Sequence, residues 1–158
     1  MVRAATVADV PFLVEGNLRM ARETEGLELH PDRLRAGVEA VFADPSRGFY
    51  LVAEIDGTPA AQMKITYEWS DWRNGVFWWI QSVYTVPELR GRGAFKALYA
   101  AAGEMARQAG NVCGLRLYVE EHNHSAQDTY RRCGMEETVY RMFEVDYVLT
   151  RDSLPPRA

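Results

Sequence analysis

The sequence predicts an α/β fold of the α+β kind, with a mixed central sheet of about six or seven strands and helices on both faces. Three observations carry this. Segments of period two and of period 3.6 follow one another in the order β-α-α-β-β-β-α-β-α-β. The run Val76 to Val86 is apolar on both faces, as a strand at the centre of a sheet must be. The strand after it is separated by a helical stretch long enough to form the crossover that parallel pairing requires.

Arg3 to Thr6 reads as a short first strand. Thr6, with Asp9 three positions later, forms a capping arrangement for a helix from about Ala8 to Arg22 whose buried stripe is Val10, Leu13, Val14, Leu18 and Ala21. A loop holding Gly26 leads to a second helix, which starts near Pro31, a residue suited to a first turn, and ends before Asp44-Pro45. Phe49 to Ile55 and Pro59 to Trp69 flank Asp56-Gly57, a strong hairpin signal. In the second strand Ala61, Met63, Ile65, Tyr67 and Trp69 alternate with Gln62, Lys64, Thr66 and Glu68, which predicts one buried and one wetter face. Asn74-Gly75 marks the next turn, ahead of Val76 to Val86. The helix from about Gly93 to Ala109 carries Ala94, Ala97, Leu98, Ala101 and Met105 on one stripe. Leu115 to Val119 follows as a strand, then a helix from Ser125 to Arg132 and a strand from Thr138 to Tyr147. One domain over residues 1–149 is expected, with a tail over 150–158 containing Pro155-Pro156.

Composition narrows the function. A net charge of −4 and a pI near 5.4 leave no basic stripe for nucleic acid, so small molecules or peptides are the expected partners. There is no run of about 18 apolar residues to span a membrane, and the start Met1-Val2-Arg3-Ala4 lacks a signal-peptide pattern, which makes the cytoplasm the default location. Cys113 and Cys133 show no metal or redox spacing and read as free thiols.

Two motifs carry chemistry. Arg90-Gly91-Arg92-Gly93-Ala94-Phe95 lies between a strand and a helix. Gly91 and Gly93 allow positive φ and close approach of the backbone, the helix start offers unpaired amides and a positive dipole end, and Arg90, Arg92 and Lys96 add charge. This makes a cradle for a diphosphate. Downstream, Asn123, Ala126, Tyr130 and Gly134-Met135 put Ala126 and Tyr130 on one helix face that Gly134 closes. A dinucleotide-binding Rossmann domain does not fit, because the Gly-x-Gly-x-x-Gly spacing and the downstream ribose-binding acid are missing.

The order and separation of these motifs, with Val83-Tyr84-Thr85-Val86-Pro87 leading into Arg90, resemble the GNAT superfamily of N-acetyltransferases over most of the chain. Two positions depart from its pattern: Phe95 stands where the family usually has Gly or Ala, and Met135 where it often has Phe. The amides of Gly93, Ala94 and Phe95 donate whatever side chain they carry. The resemblance implies a GNAT fold with splayed central parallel strands, acetyl-CoA as cofactor, and backbone contacts from Val83 and Thr85 to its pantetheine arm. It implies that Arg90, Gly91, Arg92, Gly93, Ala94, Phe95 and Lys96 hold the diphosphate, and that Tyr130 is the general acid. Asn123 is either a further cofactor contact or simply the cap of its helix.

The implied reaction moves an acetyl group to the primary amine of a small molecule or peptide by direct attack. Deprotonation of an ammonium of pKa about 10.4 needs a base, for which Glu68, Glu120 and Glu121 are candidates. The pair His122 and His124 lacks the third and fourth ligands of a zinc site, and the cysteines lack a Cys-His pairing. Trp69, Trp72, Trp78 and Trp79 wall an acceptor pocket, form a dimer contact, or pack in the core. Glu23, Glu25, Glu28 and Asp32 form an acidic rim that favours a cationic amine, or a solvated loop. A homodimer is expected from the terminal strand and exposed aromatics. A non-catalytic CoA-binding sensor of the same fold is the competing expectation.

Overall fold

The structure is a computed structural model that describes residues 1–149; the expected tail over 150–158 lies outside them. Strands β1 (Val2–Ala4), β2 (Phe49–Ile55), β3 (Thr58–Ser70), β4 (Gly75–Thr85) and β5 (Val112–Arg116) form one sheet in that order. The first four pair antiparallel and β4 pairs with β5 in parallel. The α-helices are α1 (Val10–Glu25), α2 (Pro31–Ala43), α3 (Ala94–Ala109) and α4 (His124–Arg132). Both turn signals form as expected: Asp56 and Gly57 take φ of 52° and 77° in the β2–β3 hairpin, and Asn74 takes φ of 44° before β4.

Two cores share the sheet. On one face Leu51, Ala53, Met63, Ile65, Trp78 and Ile80 pack against Ala94, Leu98, Ala102 and Ala106 of α3. On the other, Val10, Leu13 and Val14 of α1 and Val38 of α2 cover Tyr50 and Val52. The buried line of α3 is thus spaced by four, one residue away from the expected Ala97, Ala101 and Met105. Alanine flanks both sides of that line, so apolar periodicity alone cannot choose between them, and the small residues let the helix lie close on the strands.

The wetter face of β3 is not wet at both ends. Gln62 is fully buried, because α1 crosses there at Gly16, where an added Cβ would stand 2.4 Å from Gln62 Oε1. Asp9 anchors the start of α1: its carboxylate accepts from the Thr6 amide at 2.7 Å and from both Arg3 Nη atoms at 2.8 Å.

Two strand expectations are corrected. Residues 138–147 form no strand, so the sheet has five strands among the described residues instead of six or seven. A strand needs a neighbour to supply ladder hydrogen bonds, and among the described residues none pairs with this segment. The strand expected over Leu115 to Val119 instead covers Val112–Arg116. Its pairing with β4 ends at Trp79 and Arg116, because β4 then turns away.

That turn has a local cause. Between the pairs Lys64–Gln81 and Gln62–Tyr84, two residues of β4, Ser82 and Val83, oppose only Met63. This is a β-bulge, and Ser82 takes φ of 50° to make it.

Candidate active site

The bulge in β4 and the early end of β5 open a cleft of about 1200 Å³ between two parallel strands. Ile80 to Val83 form one wall and Leu117 to Glu120 the other; α1 supplies Met20, Thr24 and Glu25, and Lys64 stands on β3. Asn123 and Tyr130 close it from α4.

Tyr130 reaches the cleft because α4 places it two turns after its cap, where Asn123 Oδ1 accepts from the Ala126 amide at 3.1 Å. The ring is half-buried and rests edge-on against Phe95 of α3, centroids 5.5 Å apart. Burial, with the neighbouring Cys133 thiol as a smaller influence, pushes its phenol above the usual range, so it stays protonated at neutral pH. The Cys113 and Cys133 thiols are free and half-buried.

The three carboxylates weighed as the base part company. Glu68 does not line the cleft: its Oε2 accepts from Trp79 Nε1 and from Arg116 Nη1, both at 2.8 Å. Those bonds, the Trp79 one foremost, hold its pKa below the carboxylate norm. Glu120 lines the cleft wall, with its Oε2 accepting from the His122 amide at 2.8 Å. Glu121 is exposed and 3.5 Å from His122 Nε2.

Of the acidic rim, only Glu25 reaches the cleft. Glu23 pairs with Arg90, Glu28 pairs with Arg22 at 2.8 Å, and Asp32 sits in the first turn of α2. None of the four tryptophans lines the cleft: Trp78 is in the core, Trp79 holds Glu68, and Trp69 and Trp72 are exposed. Sequence reasoning missed Lys64, Tyr118 and Glu144 as cleft residues. The signal for Lys64 was present, a cation in the middle of a half-buried strand; for Glu144 there was none, since its position depends on a chain segment without regular structure.

The cradle stands beside this cleft and outside its wall. Gly91 and Gly93 take φ of 76° and 81°, with Gly93 as the N-cap of α3. Among the described residues the amides of Arg92, Gly93, Ala94, Phe95 and Lys96 have no hydrogen-bond acceptor. Five free donors at a helix start fit a diphosphate. Arg92 lies 3.6 Å from Asp56, and among the described residues Lys96 makes no ion pair. Arg90 is turned back instead: it bonds Glu23 of α1, and its Nε donates to the Thr85 carbonyl at 3.1 Å. Thr85 does not reach the cleft, whereas Val83 does.

Free amides at a helix start, next to an opening between parallel strands with a protonated phenol inside, fit the class of coenzyme-dependent acyl transferases. Comparison with known proteins agrees. The sequence model of the acetyltransferase (GNAT) family matches residues 16–135. A thialysine N-epsilon-acetyltransferase of Bos taurus is 32% identical over 150 residues, covering 87% of this chain and 84% of that protein. Among solved structures, one described as a possible acetyltransferase from Clostridium difficile 630 superposes with a TM-score of 0.86 at 40% identity, covering 94% and 97% of the two chains. A predicted acetyltransferase from Clostridium acetobutylicum, solved with acetyl-CoA, shares the fold at a TM-score of 0.75 and 20% identity, covering 96% and 98%.

The chain belongs to the GNAT family of acetyltransferases. It is an enzyme, and acetyl-CoA is its acetyl donor.

Proposed function

We propose that the protein acetylates the primary amine of a small molecule or peptide by direct attack in a ternary complex, with Tyr130 as general acid and Glu120 as base. The observation that carries this is the meeting of Tyr130, Glu120 and Val83 in one cleft beside the cradle. The relative named for the ε-nitrogen of thialysine supports an amine acceptor.

Bound acetyl-CoA supplies an activated thioester. The residues of the chain do the rest. The five free amides, with Arg92 and Lys96, hold the diphosphate. Arg90 braces that corner against α1 and adds its charge there; Thr85 serves the cradle through its carbonyl. The unpaired bulge residue Val83 orients the arm, and Asn123 contributes its side-chain nitrogen while its oxygen caps α4. Glu120 takes the ammonium proton, directly or through water, and Tyr130 gives its proton to the departing sulfur. Glu68 remains in its ion pair with Arg116 and organises the strands.

The reading extends to the whole particle. We take residues 1–149 as one domain, on the single sheet that both cores share. The exposed Val139, Tyr140, Phe143, Val145 and Tyr147 support a homodimer that covers them, which sedimentation measures directly. Free thiols support the cytoplasm, and among the described residues no helix is long and apolar enough to cross a membrane.

The test is thiol release from acetyl-CoA with a panel of diamines, amino acids and short peptides, the product weighed by mass spectrometry. A mass gain of one acetyl group on an amine is expected. Release that no amine accelerates would sink the reading.

A further inference from the structure

Among the described residues, the cleft is lined by one cation, Lys64, and it makes no ion pair. Lys64 stands on β3 between Tyr50 of β2 and Gln81 of β4 and lines the cleft wall. It is half-buried, and among the described residues no carboxylate and no hydrogen-bond acceptor reaches its ammonium. Burial alone lowers its pKa. The groups that face the same space are Gln81, Ser82, Tyr118 and the carboxylates of Glu25, Glu120 and Glu144, of which Glu25 and Glu144 push the Tyr118 phenol upward as secondary influences after burial.

A lone ammonium inside a sheet is a poor choice for stability. On its own face of the sheet the cross-strand neighbour Tyr50 and the next residue of the strand, Gln62, are buried, and an apolar chain at position 64 would pack beside them without desolvating a charge. A group that costs the free protein stability, and faces an open cleft, belongs to a ligand. That ligand is anionic where it meets β3 and cationic where it meets the three carboxylates. A simple polyamine satisfies only the second condition.

We propose that Lys64 binds a carboxylate of the acceptor, so that the substrate is a small amine that also carries a carboxyl group, of the amino-acid class. This rests on the acetyl-transfer reading above and adds its substrate class. Lys64 is a specificity residue: it pairs with the end of the acceptor remote from the reacting nitrogen, and the carboxylates of Glu25, Glu120 and Glu144 receive the amine end.

The experiment compares kcat/KM for each proteinogenic amino acid, and for ornithine, with that for the amine formed by removing its α-carboxyl group, such as lysine with cadaverine and ornithine with putrescine. At least one carboxylated member is favoured by about tenfold or more, the scale of a charge-assisted hydrogen bond. In Lys64→Met that ratio falls to near one, Lys64→Arg restores part of it, and the Kd for acetyl-CoA by calorimetry is that of the wild type. A wild-type preference for the decarboxylated member in every pair overturns the proposal, and needs no variant to fold. So does a ratio that survives in Lys64→Met, or an acetyl-CoA affinity that drops in it, which would assign Lys64 to the coenzyme. If amines are acetylated without regard to a carboxylate, only this inference falls; if no amine is acetylated at all, the transfer reading falls with it.

Discussion

The ring of Phe95 meets that of Tyr130 edge to face, with centroids 5.5 Å apart and planes inclined at 61°. The residue that departs from the family pattern at the cradle is therefore a wall that sets the proposed acid. Its amide is one of the five free donors at the start of α3, while its side chain contacts the proposed acid. The two effects separate by mutation. Tyr130→Phe keeps the ring contact and loses the hydroxyl, so kcat falls about 100-fold while urea stability changes by less than about 1 kcal/mol. Phe95→Ala removes an aromatic pair and half-buried packing, which lowers stability by about 1–2 kcal/mol and kcat by about tenfold or less. Equal turnover in Tyr130→Phe and wild type would dismiss the acid role.

The cradle depends on backbone shape at Gly93. An alanine there must hold φ near 81°, which costs about 1–2 kcal/mol and disturbs the amides that follow. Gly93→Ala is expected to weaken acetyl-CoA binding about tenfold. Lys96→Ala weakens it by about three- to tenfold at low salt and less at high salt, since its charge is solvent-exposed. Titration calorimetry at two ionic strengths checks both, and salt-independent affinity in wild type would remove the charge from the account.

Stability at acid pH tests the anchor of α1. Hydrogen bonds from Arg3, with the Thr6 amide assisting against burial, hold the Asp9 carboxyl down to about 2 from its ordinary 3.8. The folded value lies below the unfolded one, so this stabilisation is complete above about pH 4 and fades as pH falls through about 2. It is worth about 1–2 kcal/mol for a pair whose arginine is partly solvated. Asp9→Asn is expected to lower stability at pH 7 and to flatten the dependence between pH 4 and 2, followed by urea denaturation; an unaltered slope would assign the acid loss elsewhere.

Gly16→Ala probes the crossing of α1 over the sheet. The new methyl would lie 2.4 Å from Gln62 Oε1 and 2.9 Å from its Cδ, and Gln62 has no exposed surface into which to retreat. Helix propensity favours alanine by about 1 kcal/mol, but overpacking costs about 1–3 kcal/mol, so the variant is expected to be less stable by up to about 2 kcal/mol. A higher melting temperature than wild type would mean that α1 moves off the sheet freely.

Much of this was legible in the chain because it is local. The hairpin at Asp56-Gly57, the proline-started α2, the glycine-bounded start of α3 and the Asn123 cap each depend on a few neighbouring residues, and the family resemblance carried by the motif order implied the coenzyme. Folding decided what depends on partners distant in sequence. The bulge at Ser82–Val83 exists only against Met63, and it parts β4 from β5, so that Leu117 to Val119 line a cleft instead of a ladder. Glu68 and Glu120 looked alike as carboxylates on a line of text; tertiary contacts gave the first to Arg116 and Trp79 and left the second facing the cleft. The β-forming residues of 138–147 were expected to make a strand, but a strand is a relation between two chain segments, and among the described residues nothing pairs with this one.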